Sequence, residues 1–381
     1  MFKNKNNNTY LFFCFVIITT ILFLPNITPA YFGLLDDGQT INISQKILSS
    51  FDMDLMGGGD SGRFVPIYWL HHILLYIFFG INPLFYYLLH AICLSIVLFM
   101  IYKITHLLTE KRKISILASL LYLLSLPIVE SYYTLGKPET QQALYLVFML
   151  YFFLKIDKYL AKNKHAPIPR KLFIITLIPL FLLYFTKETS YALLPFSFFW
   201  MLFVWWTEKS RKTQRSKTAA LFFASNITAI LLHQILKTLA GVASISAGGY
   251  SSMYNIGSPK ALFVGFGKWL TILIADNIAF LILTTMIAFI ILKKIKETGI
   301  KNTTLKRDEQ MLVFFALFAT FLTAVMIPWA ILMDRYFLPG MIGTSIFVAL
   351  FLNYAIKNKK TVLVKLTAIV IILNLVLTLP V

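Results

Sequence analysis

The chain is poor in charge, poorer in acids and nearly free of cysteine. Only 13% of its 381 residues are charged, and 16 acids stand against 35 Lys and Arg. Its two cysteines, Cys14 and Cys93, exclude a disulfide framework and a cysteine-rich zinc module. Both lie in apolar runs, where a thiol packs as a small apolar group. A long polar region able to make a soluble catalytic domain is also missing, since the longest polar stretch covers only 26–63. What is present is apolar: 58% hydrophobic residues, 16% aromatic residues and a mean hydropathy of +0.75. A water-soluble fold cannot hide that much apolar surface.

Apolar runs at 83–102, 140–154, 190–206 and 310–333 approach the roughly 20 residues a helix needs to cross hydrocarbon. The fold class read from them is an all-α polytopic membrane protein forming a single multi-pass domain over 1–381. A formal charge of +19 raises nucleic acid as a partner, but that role needs basic residues spread over one soluble, aromatic-studded surface. Here they sit in short clusters at 103–113, 155–171, 209–217, 293–307 and 357–365, with Lys3 and Lys5 at the start. Nucleic acid is excluded as a partner, and membrane lipid takes its place.

The clusters occupy every second connection, the pattern expected when all of them face the cytoplasm. The eight other cations are Lys46, Arg63, Lys137, Lys187, Lys237, Lys260, Lys268 and Arg335. They share the opposite side with Asp36, Asp37, Asp52, Asp54, Asp60, Glu130, Glu139, Glu188, Asp276 and Asp334. About eleven spans follow: a first over 11–24, then 83–103, 114–130, 139–156, 172–186, 190–206, 219–237, 269–292, 310–333, 337–356 and 362–380. The first is read as retained, with a cleaved signal peptide as the competing reading.

Segment 64–80 is apolar enough to suggest another span, but counting it would invert every later basic connection. It is therefore laid in the interface, within a first outer loop of 26–82, with Tyr68, Trp69, His71 and His72 at headgroup level. Adjacent histidines point in different directions on a helix and do not chelate one ion, so they read as interfacial polar groups. Residues 238–262, rich in Gly, Ser and Ala, read as a mobile outer loop. No internal repeat of the kind that builds transporters from duplicated halves is evident.

Candidate chemistry gathers on the non-cytoplasmic side. Asp36-Asp37-Gly38, Glu130, Lys137-Pro138-Glu139, Thr186-Lys187-Glu188-Thr189 and Asp334-Arg335-Tyr336 interleave acids and bases at expected helix ends. Such a group suits a reaction in which a carboxylate takes a proton from a nucleophile while cations hold a leaving phosphate. For each residue alone, solvation at the interface is the plain alternative, because a charge near a helix end is far cheaper than one at mid-bilayer. Asp52-Met53-Asp54 has the spacing of a D-x-D metal motif but lies in a polar loop and reads as solvated. No cofactor is implied, and no residues stand out as ligands for a divalent metal.

These segments resemble the GT-C superfamily of membrane glycosyltransferases, which includes protein O-mannosyltransferases and lipid A aminoarabinose transferases. The resemblance runs in order through YFGLLDDGQ, GRFVPIYWLHHILLYIFFGINPLFYYLLH, PIVESYYTLGKPETQQALYLVFMLYFFL, YFTKETSYALLP and MDRYFLP, covering roughly 10–355. It implies an enzyme that passes a sugar from a polyprenyl-phosphate carrier to a glycan, lipid or protein acceptor. On that reading Asp37 or its neighbour Asp36 is the catalytic base, and Arg335 with Lys187 binds the donor phosphate. Glu188, Glu139, Glu130 and Lys137 support the acceptor or the cations. The large soluble C-terminal domain that many family members carry is not expected here, so acceptor recognition is expected from outer loops. The expected location is a bacterial inner membrane with the site facing outward. A polymerase or flippase of surface polysaccharide assembly is the alternative. A flippase would line a mid-membrane cavity with cations, and the spans here carry almost no charge between their ends, Asp276 being the main exception.

Overall fold

A computed structural model describes residues 3–33, 36–50, 63–163, 166–209, 212–242, 258–329 and 333–378, with the side chains of 3–7 and of Asp36 left out. Every regular element among them is helical. In order they are α1 (Lys3–Ile27), α2 (Asp36–Ser50), α3 (Pro66–Phe79), α4 (Pro83–Thr109), α5 (Arg112–Leu123), α6 (Leu126–Tyr132) and α7 (Glu139–Lys162). Then come α8 (Arg170–Tyr184), α9 (Leu193–Glu208), α10 (Gln214–Leu239), α11 (Pro259–Thr298), α12 (Arg307–Ala324), α13 (Leu338–Lys357) and α14 (Thr361–Thr378). Short 3-10 turns at Glu188–Ala192 and Asp334–Phe337 lead into α9 and α13.

Six of these helices, two counted with their leading 3-10 turns, are long and apolar enough to cross a membrane, and α5 with α6 would make a seventh. That pair, expected as one span, is bent by 61° between Leu123 and Leu126. The other expected spans carry polar ends, such as Glu139-Thr140-Gln141-Gln142 on α7 and Arg307-Asp308-Glu309-Gln310 on α12, or are short, like the 15 residues of α8. Helix α3 has 14 residues, a length of about 21 Å, short of the roughly 30 Å of hydrocarbon.

Helix α13 is the centre of the bundle: nearly all its side chains are buried, against α12, α5, α14 and α7. Glycines allow the approach to α12. A Cβ on Gly340 would stand 2.4 Å from Thr323 Cγ2, and one on Gly343 2.7 Å from Phe318 Cδ1. Lipid is as apolar as Leu, so helices in a membrane gain by close backbone packing at small residues, and this pair uses it. Helix α11 is broken at Asn277 (φ −146°, ψ 42°), and α14 repairs the break. Asn374 there accepts from Ala279 N and donates to Asp276 O, both at 3.3 Å. The backbone groups freed at a kink inside a membrane need such partners.

Two local readings change. Tyr68, Trp69 and His72 are buried on the face of α3 that packs with α2, and not solvated; the apolar side chains facing out are Leu70, Leu74, Ile77 and Phe78. Cys14 is exposed on α1 and not packed, while Cys93 is partly buried. Helix α1 itself lies along α4, where Thr19 and Ser95 share a 2.6 Å hydrogen bond. The D-x-D-spaced pair Asp52 and Asp54 and most of the 238–262 loop lie outside the described residues.

The basic connections converge at one end of the bundle. Lys158 bonds Glu110 at 2.9 Å, Asp157 holds both Arg215 and Arg307, Lys294 bonds Glu309 at 2.6 Å, and Lys357 bonds Asp308 at 2.6 Å. Five connections far apart in sequence are thereby stitched together. The interleaved acids and bases lie at the other end.

Candidate active site

The site is assembled from helix starts and the turns before them. Asp37, in the first turn of α2, is 3% exposed. Its Oδ2 accepts from Gly33 N at 2.9 Å, while Oδ1 accepts from Leu135 N at 2.9 Å and Gly136 N at 3.0 Å. A carboxylate offers about four acceptor directions, so three are filled by backbone and one remains on Oδ2. The same contacts dock the start of α2 on the 133–138 connection, which carries Lys137. Asp36 opens α2, with its side chain outside the described set.

Four of the expected residues meet directly. Glu139, the first residue of α7, is 1% exposed and pairs through Oε1 with Lys187. The Arg335 Nε lies 3.9 Å from the same oxygen. Arg335 also donates from its backbone N to Glu130 Oε2 at 2.9 Å and from Nη1 to Glu130 Oε1 at 3.3 Å. Its ion-pair partners among the described residues are thus Glu130 and Glu139, and not the adjacent Asp334. The second oxygen of Glu139, Oε2, is buried with no hydrogen-bond partner among them.

Tyr336 forms an aromatic floor: Lys187 Nζ is 4.6 Å and the Arg335 guanidinium 5.1 Å from its ring centre, within cation–π range. Gln142, one turn along α7, donates to Thr189 Oγ1 at 3.0 Å and Ser190 Oγ at 2.9 Å, tying the turn after Lys187 to α7. Glu188 faces away from Lys187 and pairs with Arg63 at 3.1 Å, bridging the α2–α3 connection to α9.

Electrostatics follow burial. Burial, joined by the nearby Arg335 and Lys187 charges, lowers the Lys137 ammonium to about 8, with Glu139 opposing. Burial also pulls Lys187 down, again against Glu139. The cluster therefore holds three cations, Lys137, Lys187 and Arg335, around Glu139 and Glu130. An anion entering it would relieve repulsion among the cations and take up guanidinium and ammonium donors.

Sequence reasoning assigned no role to Arg63, Tyr336, Gln142 or Tyr68, whose buried hydroxyl lies 3.4 Å from Thr40 Oγ1. Arg63 had a signal, being the only cation between Lys46 and Lys103. Tyr336, Gln142 and Tyr68 fall inside the segments that carry the resemblance, but their residue types do not single them out for a task, since Tyr and Gln are common in such helices. Among the described residues no three His, Cys, Asp or Glu side chains gather as metal ligands.

No protein-family model matches the chain, and no curated protein sequence does either. Solved structures do match. ArnT from Cupriavidus metallidurans bound to undecaprenyl phosphate superposes with a TM-score of 0.61 at 13% identity, over 94% of this chain and 62% of that one. The oligosaccharyltransferase AglB from Archaeoglobus fulgidus, in complex with an inhibitory peptide and a dolichol-phosphate, gives 0.57 at 11% identity, over 99% of this chain and 55% of that one. The Archaeoglobus fulgidus oligosaccharyltransferase in its apo form gives 0.59 at 12% identity, over 99% and 56%. These are GT-C membrane glycosyltransferases, so the fold expected from the ordered motifs is the fold found. The chain spans about 55% to 62% of the length of these structures, and at such identities the likeness is one of fold.

Proposed function

We propose that the chain is a glycosyltransferase that moves a sugar from a polyprenyl-phosphate carrier to an acceptor at the non-cytoplasmic face of a membrane. The observation that carries the reading is the cluster of buried Lys187 and Lys137 and half-buried Arg335 around Glu139 at helix ends, on a fold whose solved examples include chains bound to undecaprenyl phosphate and dolichol-phosphate.

The chemistry assigns each group a task. An acceptor hydroxyl or amide attacks the sugar's anomeric carbon as the bond from that carbon to the phosphate oxygen breaks. The electron pair leaves with the polyprenyl phosphate. Arg335 and Lys187, with Lys137 beside them, take up the charge that grows on the phosphate, and the acceptor proton passes to the open direction on Asp37 Oδ2. Glu130 and Glu139 hold the guanidinium and ammonium in place before the donor arrives, so little reorganisation is needed when charge develops.

The positive-inside pattern supports the orientation: the end stitched by Asp157, Arg215 and Arg307 faces the cytoplasm, and α2 and α3 lie at the opposite interface. About eleven crossings, a single multi-pass domain and a bacterial inner membrane belong to this reading. The acceptor is a glycan, a lipid or a protein. Detergent-purified protein given a radiolabelled polyprenyl-phosphate sugar should release or transfer the label with time, and should leave a nucleotide sugar intact. Inertness toward a panel of polyprenyl-phosphate sugars, with or without acceptors, would remove the proposal.

A further inference from the structure

At the opposite end of α7 the bundle contains a second polar site. Asp157 lies 18 residues beyond Glu139 on the same helix, about 27 Å away at 1.5 Å per residue. Beside it a cavity of about 580 Å³ is lined by residues that include Lys158, Lys162, Lys209, Arg215, Arg307 and Glu208. Arg215 is 4% exposed and makes a 2.7 Å bond from Nε to Asp157, with 2.8 Å bonds from Nη1 to Glu208 and to Gln310. Arg307 pairs with the other Asp157 oxygen. After these bonds each guanidinium still has one buried nitrogen, Arg215 Nη2 and Arg307 Nη1, with no acceptor among the described residues.

Buried donors of this kind are rarely left unmet in a folded protein, and a charged one is the most costly to leave so. The charge balance points to what would meet them. Five cations line the cavity, against three carboxylates that already have partners: Asp157 on the two arginines, Glu208 on Arg215, and Glu110 on Lys158. The surplus is positive. A single tetrahedral oxyanion in the cavity sets acceptors against the two arginines that line it, and the lysines Lys162 and Lys209 are exposed enough to close over it.

We infer that this cavity is a phosphate-binding site, separate from the acid-base cluster at the other end of the bundle. The phosphate has two sources. It is the head group of an anionic lipid lying between helix ends, a setting where basic pockets take such groups, or it is carried by a small soluble molecule. The inference does not depend on glycosyl transfer.

The test uses full-length protein and reads thermal unfolding in two arms. One titrates inorganic phosphate into detergent-solubilised protein. The other compares phosphatidylcholine nanodiscs with nanodiscs containing increasing phosphatidic acid. A saturable rise in unfolding temperature is expected in at least one arm. Saturation by inorganic phosphate identifies a soluble source, and saturation by phosphatidic acid alone identifies the lipid. Arg307→Gln should raise the half-saturating concentration about tenfold or more. Because Arg307 also holds Asp157, the double variant Lys162→Gln/Lys209→Gln provides a second reading that leaves the buried pair intact. Its control is Lys296→Gln/Lys301→Gln, which removes two exposed charges outside the cavity. No saturation in either arm overturns the site. So does a control variant that weakens binding as much as the cavity variants, because that result means general surface charge.

Discussion

Replacing Arg335 separates anchoring from phosphate binding. Its side chain is 17% exposed and its pair with Glu130, itself 33% exposed, is 3.3 Å long. In Arg335→Ala the backbone N–H that bonds Glu130 Oε2 at 2.9 Å survives, and Glu139 keeps Lys187. The fold therefore loses a partly exposed ion pair with Glu130, a longer 3.9 Å contact with Glu139 and a cation–π contact with Tyr336, together about 1 to 2 kcal/mol. Function loses more. A guanidinium bound to phosphate through two parallel charge-assisted hydrogen bonds contributes about 1.5 to 3 kcal/mol for each. Their loss lowers turnover at limiting donor by about a hundredfold to ten-thousandfold. Arg335→Lys keeps a charge and one donor, so it should lose about tenfold to a hundredfold. The assay is label release from a polyprenyl-phosphate sugar across a donor titration, with unfolding temperature measured on the same preparations. If Arg335 only anchors a helix end, lysine replaces it without effect, because both side chains reach the interface. Wild-type kinetics in Arg335→Ala would refute the phosphate role and much of the case for a lipid-phosphate donor.

Asp37→Asn should reduce transfer by at least about a hundredfold while the protein still reaches the membrane, since an amide cannot take the acceptor proton. Its NH2 would also face either Gly33 N–H or the Leu135 and Gly136 N–H groups, so unfolding should come about 1 to 3 kcal/mol sooner; unchanged transfer in both Asp36→Asn and Asp37→Asn would exclude the base. Donor binding should weaken as pH rises through about 8, where Lys137 loses its proton while a phosphodiester donor keeps its charge. Lys137→Arg should flatten that limb, and an unaltered pH profile in this variant would show that Lys137 does not face the donor. The same depressed ammonium makes folding more favourable as pH climbs from about 8 toward its usual range near 10.4, because there the unfolded chain binds more protons than the native one. For topology, a reporter fused after Gly80 should read as exported and cysteines introduced at 162 or 212 should resist external labelling in intact cells; the reverse pattern would invert the proposed orientation.

Much of the architecture was legible along the chain. Apolar runs and the spacing of basic clusters are one-dimensional quantities set by the bilayer's thickness and charge asymmetry, so they announced a helical bundle with polar groups sorted to two ends. The site was legible as a set of residues: Glu130, Glu139, Lys187 and Arg335 were named from their positions at helix ends, and they meet. Their pairing was not legible. Adjacency pairs Arg335 with Asp334, yet its partners are Glu139 and Glu130, the latter 205 positions away. Glu188 sits next to Lys187 in sequence and turns instead to Arg63, 125 positions away.

By itself, then, the sequence determined that the chain is a membrane-embedded helical protein with opposite charges interleaved at one end, because burial in lipid and the sorting of charge act on each segment almost independently. Tertiary structure alone decided the bend between α5 and α6, the break in α11 that Asn374 repairs, and the central place of α13. It also decided that Asp37 would be gripped by backbone N–H groups from Leu135 and Gly136, 98 and 99 positions away. Such contacts depend on which helix faces which, and that depends on fine matches of shape, such as Gly340 against Thr323, that leave no periodic trace in the order of residues.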